Sequence, residues 1–162
     1  MPPRLAAAAA FHISYRPETE ADLPFVAALY ATTRADELAA TGWPEAMRAA
    51  FLAQQHQAQH AHYRVVHPEG EWLLIEQSGA PIGRLYLAEQ DGMLLLVDIA
   101  LLPEARGTGL GTAILTDLLA SEPRPVQLHV ELMNPARRLY ERLGFVPVEA
   151  EAFRVRMIRQ SA

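Results

Sequence analysis

The stretch Val97–Leu115, V-D-I-A-L-L-P-E-A-R-G-T-G-L-G-T-A-I-L, decides how this chain is read. An apolar run ends at Pro103. Gly107, Gly109 and Gly111 follow in alternation. Apolar residues then recur at helical spacing through Leu110, Ile114, Leu115, Leu118 and Leu119. Strand, glycine loop and helix in that order make an anion cradle. The first N–H groups of a helix lack internal partners, and the helix dipole adds positive potential there. Glycine lets a phosphate approach the backbone, because no Cβ stands in the way. A tight turn alone needs one or two glycines, so three in alternation point to a phosphorylated ligand.

Working outward, the chain before the loop opens with a strand, Phe11–Arg16, closed by Pro17. A helix capped by Thr19 follows, and a second helix runs from Glu45 to about His60. Tyr63–Val66 reads as a short strand. Trp72–Glu76 and Ile82–Ala88 read as strands turning at Ser78-Gly79, and Asp91-Gly92 turns into the strand Met93–Leu101. After the loop and its helix come the strand Val126–Glu131 and a helix from Asn134-Pro135 to about Leu143, with Gly144 past its end. Phe145–Val148 and Phe153–Ile158 close the chain as an antiparallel pair. The meander implies antiparallel pairing. The strand–helix–strand around the loop implies one parallel pair with a right-handed crossover. The fold class is α/β, a mixed and mostly antiparallel sheet flanked by helices.

The 162 residues suit one domain, and 51% apolar residues suffice for a core. Residues 1–10, with their alanine run, read as a flexible leader before a single domain spanning 11–162. The formal charge of −5 argues against nucleic acid as a partner. The lack of cysteine excludes disulfides, thiolate metal sites and a cysteine nucleophile. No stretch reads as a membrane span or a secretion signal, so a cytoplasmic protein without membrane contact is expected.

Two phosphate ligands fail on spacing. A dinucleotide fingerprint needs a third glycine where Thr112 stands, and a triphosphate loop needs a lysine that the segment lacks. What remains is Arg106-x-x-Gly109-x-Gly111. That pattern after L-L-P-E resembles the acetyl-CoA pyrophosphate loop of the GNAT superfamily of N-acetyltransferases. A second block, N-P-A-R-R-L-Y-E-R-L-G-F from Asn134 to Phe145, resembles the family's Asn-to-Gly-Phe segment. The segment Y-R-P-E-T-E-A-D-L-P-F-V resembles the family's first strand and helix, so the likeness runs from about Ile13 to Ile158.

The resemblance implies acetyl-CoA as acyl donor, with no metal. Main-chain N–H groups of Arg106, Gly107, Thr108, Gly109, Leu110, Gly111 and Thr112 would meet the pyrophosphate. The strand ending at Leu101 would splay from Val126–Glu131, and groups near Ile99 and Leu101 would pair with the pantetheine arm. Asn134 and Arg137 would sit near the cofactor. Tyr140 would be the general acid, protonated at neutral pH because a phenol has a pKa near 10. Against this stands a tyrosine that only packs Leu139 and Leu143 on the sheet. The base stays open among Asp98, His129, Glu131 and His67, and a water relay needs none of them. Asp98 and Ile99 are adjacent on a strand and should face opposite ways. Arg34, Glu37 and Trp43 lie where the family covers its acceptor. His56 and His60, in a Gln-rich helix without the H-E-x-x-H glutamate, read as a solvated face rather than metal ligands. The expected partner is a small-molecule or peptide amine, and a homodimer through the closing strands is compatible with the resemblance. The reading from a different class is a silent acyl-CoA-binding sensor, which would keep the loop and not need Tyr140.

Overall fold

The computed structural model describes residues 1–161. Its strands are β1 (Ile13–Pro17), β2 (Glu71–Gln77), β3 (Ala80–Gln90), β4 (Met93–Leu101), β5 (Val126–Glu131), β6 (Val146–Ala150) and β7 (Arg154–Arg159). Its helices are α1 (Leu23–Ala39), α2 (Glu45–Val66), α3 (Leu110–Ser121) and α4 (Ala136–Arg142). One sheet holds all seven strands in the order β1-β2-β3-β4-β5-β7-β6. Only β4 and β5 run parallel; the other neighbours are antiparallel.

Local chemistry explains the meander. Ser78-Gly79 and Asp91-Gly92 both hold two consecutive residues at positive φ (51° and 83°; 55° and 74°). Such two-residue turns match the right-handed twist of the strands they join. The pairs Gln77↔Ala80 and Gln90↔Met93 close them.

The sheet is covered on both faces. Leu85, Leu87, Leu94, Leu96, Leu128 and Val130 belong to the main core, which they share with α3 and Tyr140 of α4. The opposite face carries Arg84 and Tyr86, which meet Gln59 and Tyr63 of α2. Burial on both faces explains why Leu94, Leu95 and Leu96 are consecutive leucines rather than an alternation.

Two expectations need correction. Tyr63–Val66 continues α2 instead of forming a strand. Tyr63 stacks on Trp72 at 6.2 Å, and Arg64 pairs with Glu18, so tertiary contacts hold this turn helical against its β-branched residues. The alanine-rich leader is not loose. Ala7–Phe11 forms a 3-10 turn packed on α3, with Ala8 fully buried and the N–H groups of Ala6, Ala7 and Ala8 bonded to Asp117.

Candidate active site

The loop between β4 and α3 is built around two backbone conformations. Gly107 and Gly109 lie at φ 69° and 87°, where a Cβ would be strained. Gly109 caps α3, and the N–H of Ala113 is the helix group that reaches back to its carbonyl, at 3.0 Å. Gly111 and Thr112 precede that bond, so their N–H groups belong to the unsatisfied first turn. Thr108 Oγ1 donates to the Ala105 carbonyl at 2.8 Å and accepts from Leu110 N–H at 3.4 Å. The Leu110 side chain itself is core. Gly111 is different from the other two glycines. Its backbone is helical, and a Cβ there would meet nothing closer than Leu101 Cδ1 at 3.8 Å. Nothing within the chain demands glycine at that position.

The Arg106 side chain is engaged by the fold. Its Nε donates to the Leu101 carbonyl and its Nη2 to Thr32 Oγ1 on α1, both at 2.9 Å. The guanidinium therefore ties the loop to the end of β4 and to α1, and the Leu101 carbonyl is occupied.

Beside the loop the sheet opens. The β4–β5 pairing consists of Leu94↔Val126, Leu95↔Gln127 and Leu96↔Leu128. Beyond Leu96 the strands part. The opening begins at a β-bulge: Tyr86 faces Asp98 and Leu87 faces Leu96, which leaves Val97 as the extra residue. A bulge bends and twists its strand, and that bend turns β4 away from β5. The main chain of Val97–Leu101 is thus held by β3 on one side and by no strand on the other. Gly83 permits this close β3–β4 packing, since a Cβ there would lie 2.4 Å from the Ala100 carbonyl.

Asp98 and Ile99 do face opposite ways. Ile99 packs against the core with α3, while Asp98 Oδ2 accepts from Arg84 Nε at 2.5 Å. Arg84 is 3% exposed, donates from Nη2 to Gln59 Oε1 at 3.0 Å, and lies over the Tyr86 ring. Asp98 Oδ1 has no hydrogen bond to the described residues. Sequence reasoning missed Arg84, although an arginine inside the apolar run I-G-R-L-Y-L-A was the available signal.

Tyr140 is 9% exposed, and its ring meets Phe145 edge-on at 5.8 Å. Its hydroxyl makes no hydrogen bond to the described residues. Burial, with the nearby Asp98 charge, pushes its pKa up to about 12. Asp98 also raises Tyr63, whose larger cause is burial. The carboxylate of β4 is therefore felt from α4 and from α2.

The other candidates are dispersed. His129 is held below its ordinary pKa, first by burial and then by Arg154. Its Nδ1 lies 3.1 Å from Glu151 but outside hydrogen-bonding geometry. Glu131 is exposed on the same strand. His67 adjoins Gln90 and Asp91 at the hairpin end of β4, away from the opening. Asn134 Oδ1 accepts from Ala136 N–H at 2.9 Å and so starts α4, and Arg137 pairs with Glu141 at 3.3 Å. Arg34 bonds Tyr30, Glu37 and Gln55, which ties α1 to α2, and Trp43 packs on Phe51. His56 corrects the solvated-face expectation. It is 6% exposed and packs against Tyr30, because the inward face of α2 is polar. Among the described residues no cluster of His, Cys, Asp and Glu could hold a metal ion. No described helix is long and apolar enough to cross a membrane.

A family model described as Acetyltransferase (GNAT) domain matches residues 68–147, which include the hairpin, the loop, the opening and Tyr140. This stretch, just under half of the chain, is thus similar to a GNAT acetyltransferase domain. Solved structures share this GNAT architecture. A PaiA N-acetyltransferase from Thermoplasma acidophilum, in complex with coenzyme A, aligns at TM-score 0.68 with 15% identity, over 91% of this chain and 98% of that one. A histone acetyltransferase HPA2 and related acetyltransferase from Corynebacterium glutamicum aligns at 0.66 with 22% identity, over 93% and 97%. An acetyltransferase from Thermus thermophilus aligns at 0.67 with 19% identity, over 91% and 96%. At these identities the likeness is one of fold. A search among curated proteins returns no match. The GNAT fold expected from the sequence, including its parted strand pair, is the fold observed.

Proposed function

We propose that this chain transfers the acetyl group of acetyl-CoA to a primary amine by direct attack on the thioester. The observation that carries the reading is the parting of β4 from β5 after Leu96, directly beside a helix start with unsatisfied N–H groups. The N–H groups of Gly107–Thr112 suit a pyrophosphate, and the edge of β4 that faces no strand beyond Leu96, apart from the Leu101 carbonyl held by Arg106, suits an amide-bearing arm such as pantetheine. The coenzyme A complex of the PaiA structure supports the same assignment.

In the reaction the amine nitrogen bonds to the thioester carbon, the carbon–sulfur bond breaks, and the amine loses a proton. Tyr140 is the general acid, donating to the departing sulfur. Asp98 is the base in this reading, its Oδ1 taking the amine proton while Oδ2 stays with Arg84. A silent acyl-CoA sensor would need neither group. His129 is the less suited base, since Glu151 and Arg154 crowd it.

Gly111→Ala tests the reading. Alanine favours a helix over glycine by up to about 1 kcal/mol, and its Cβ meets only Leu101 at 3.8 Å. The melting temperature should hold or rise. Coenzyme A affinity, measured by calorimetry, should fall at least about tenfold, since the methyl group stands where the pyrophosphate would approach. Unchanged affinity would reduce the glycines to a turn.

The partner expected on the closing strands is a second copy of this chain. β6 is an edge strand exposed throughout, with Val146 and Val148 outward and Phe153 84% exposed nearby. Exposed apolar edges invite pairing. Light scattering should give a dimer mass, and Val148→Lys a monomer. A monomeric wild-type chain would remove this partner.

A further inference from the structure

The first residues of the chain run antiparallel along α3 and are anchored at three places. Arg4 N–H donates to Ser121 Oγ at 3.0 Å, at the last residue of the helix. Ala6, Ala7 and Ala8 donate to the two oxygens of Asp117 at 3.1, 2.7 and 2.9 Å. Phe11 then reaches the other end, where its Cζ lies 3.9 Å from the Cβ position of Gly109. The anchors span the whole of a 12-residue helix, from its last turn to the glycine that caps it. Asp117 is 2% exposed and lies more than 100 residues away in sequence from the N–H groups it holds.

A buried carboxylate is costly unless its oxygens are bonded, so this contact fixes both partners. Burial opposes the charge, but the three N–H donors hold the Asp117 carboxyl below its ordinary pKa. The alanine run suits the task. Small side chains let three consecutive N–H groups close on one carboxylate, and Ala8 is fully buried in the core.

We propose that Arg4–Phe11 is a splint that sets the position of the glycine loop, making Phe11 and Asp117 positioning residues for the acyl-CoA pyrophosphate. The proposal rests on the reading of that loop as the coenzyme A site. If α3 shifts along its axis, the N–H groups of Gly111 and Thr112 move with it, and the cradle loses its aim. The reacting groups, Tyr140 and Asp98, lie on other elements and should be unaffected.

The test uses the full chain and four variants. Phe11→Ala and Asp117→Asn should each weaken coenzyme A binding about tenfold by calorimetry and raise KM for acetyl-CoA alike, with kcat at saturation within twofold. Phe11→Leu should restore binding. Leu38→Ala, a buried change on α1, should lower the melting temperature without touching affinity. The link is reciprocal, so saturating coenzyme A should slow hydrogen exchange at the amides of Ala6, Ala7 and Ala8 in the wild-type chain. Full affinity in either folded variant, or amide exchange indifferent to coenzyme A, would overturn the splint. A wild-type chain that takes up no coenzyme A would overturn the loop reading, and the splint with it.

Discussion

Tyr140→Phe should lower amine acetylation about ten- to a hundredfold and leave coenzyme A affinity unchanged. The size follows from two pKa values. The Tyr140 hydroxyl is pushed up to about 12 by burial and by Asp98. A thiol such as cysteine's sits near about 8.5. Full proton transfer from the phenol to the sulfur is therefore uphill, and much of the benefit is a hydrogen bond to the charge that develops as the carbon–sulfur bond breaks. That places the loss at about 1.4–2.7 kcal/mol of barrier, at or below the low end of what a general acid supplies. Phenylalanine keeps the edge-on contact with Phe145, so folding should be intact. Free-thiol release with a panel of amines measures the effect. Full turnover in the variant would remove Tyr140 from the chemistry and leave it as packing for the sheet.

The second large effect is expected at Asp98. Asp98→Ala leaves Arg84, which is 3% exposed, without its counter-charge. Removing one partner of a buried pair costs about 3–5 kcal/mol, and the partial exposure of Asp98 places this case near about 3 kcal/mol. Asp98→Asn keeps an oxygen for Arg84 Nε and should recover most of that stability in urea unfolding. It should not recover turnover, because an amide cannot take a proton from the attacking amine. Alanine and asparagine thus separate the two tasks. Wild-type turnover in the asparagine variant would make Asp98 a partner of Arg84 and nothing more.

What was legible in the sequence followed from residues whose backbone demands are narrow. Asp91-Gly92 and Ser78-Gly79 announced hairpins because few residues tolerate positive φ. The glycine loop announced a helix start for the same reason. The parted strands were legible only through resemblance, since no residue type marks Val97 as the extra residue of a bulge. The polar layer under α2 was hidden in a different way. Gln55, His56, Gln59 and Arg64 look like a solvated helix face, yet they meet Tyr30, Arg84 and Glu18. Polarity in sequence does not distinguish water from a buried polar partner. The alanine run was the least informative of all. Its contribution comes from backbone N–H groups, which every residue but proline carries, and the acceptor, Asp117, lies 110 residues further along the chain than Ala7.

The bulge at Val97 also gives the sheet a lever. The meander β1–β4 and the plate of β5, β7 and β6 each keep their own ladder of hydrogen bonds, and Leu94–Leu96 alone couples them within the sheet. From Leu96 to Leu101 the strand extends about 17 Å at 3.3 Å per residue, so a tilt of about 5° at the coupled end moves the far end by about 1.5 Å. That is roughly one carbon–carbon bond length. The width of the jaw can thus be set by how the helices wedge the two plates, with every ladder left whole.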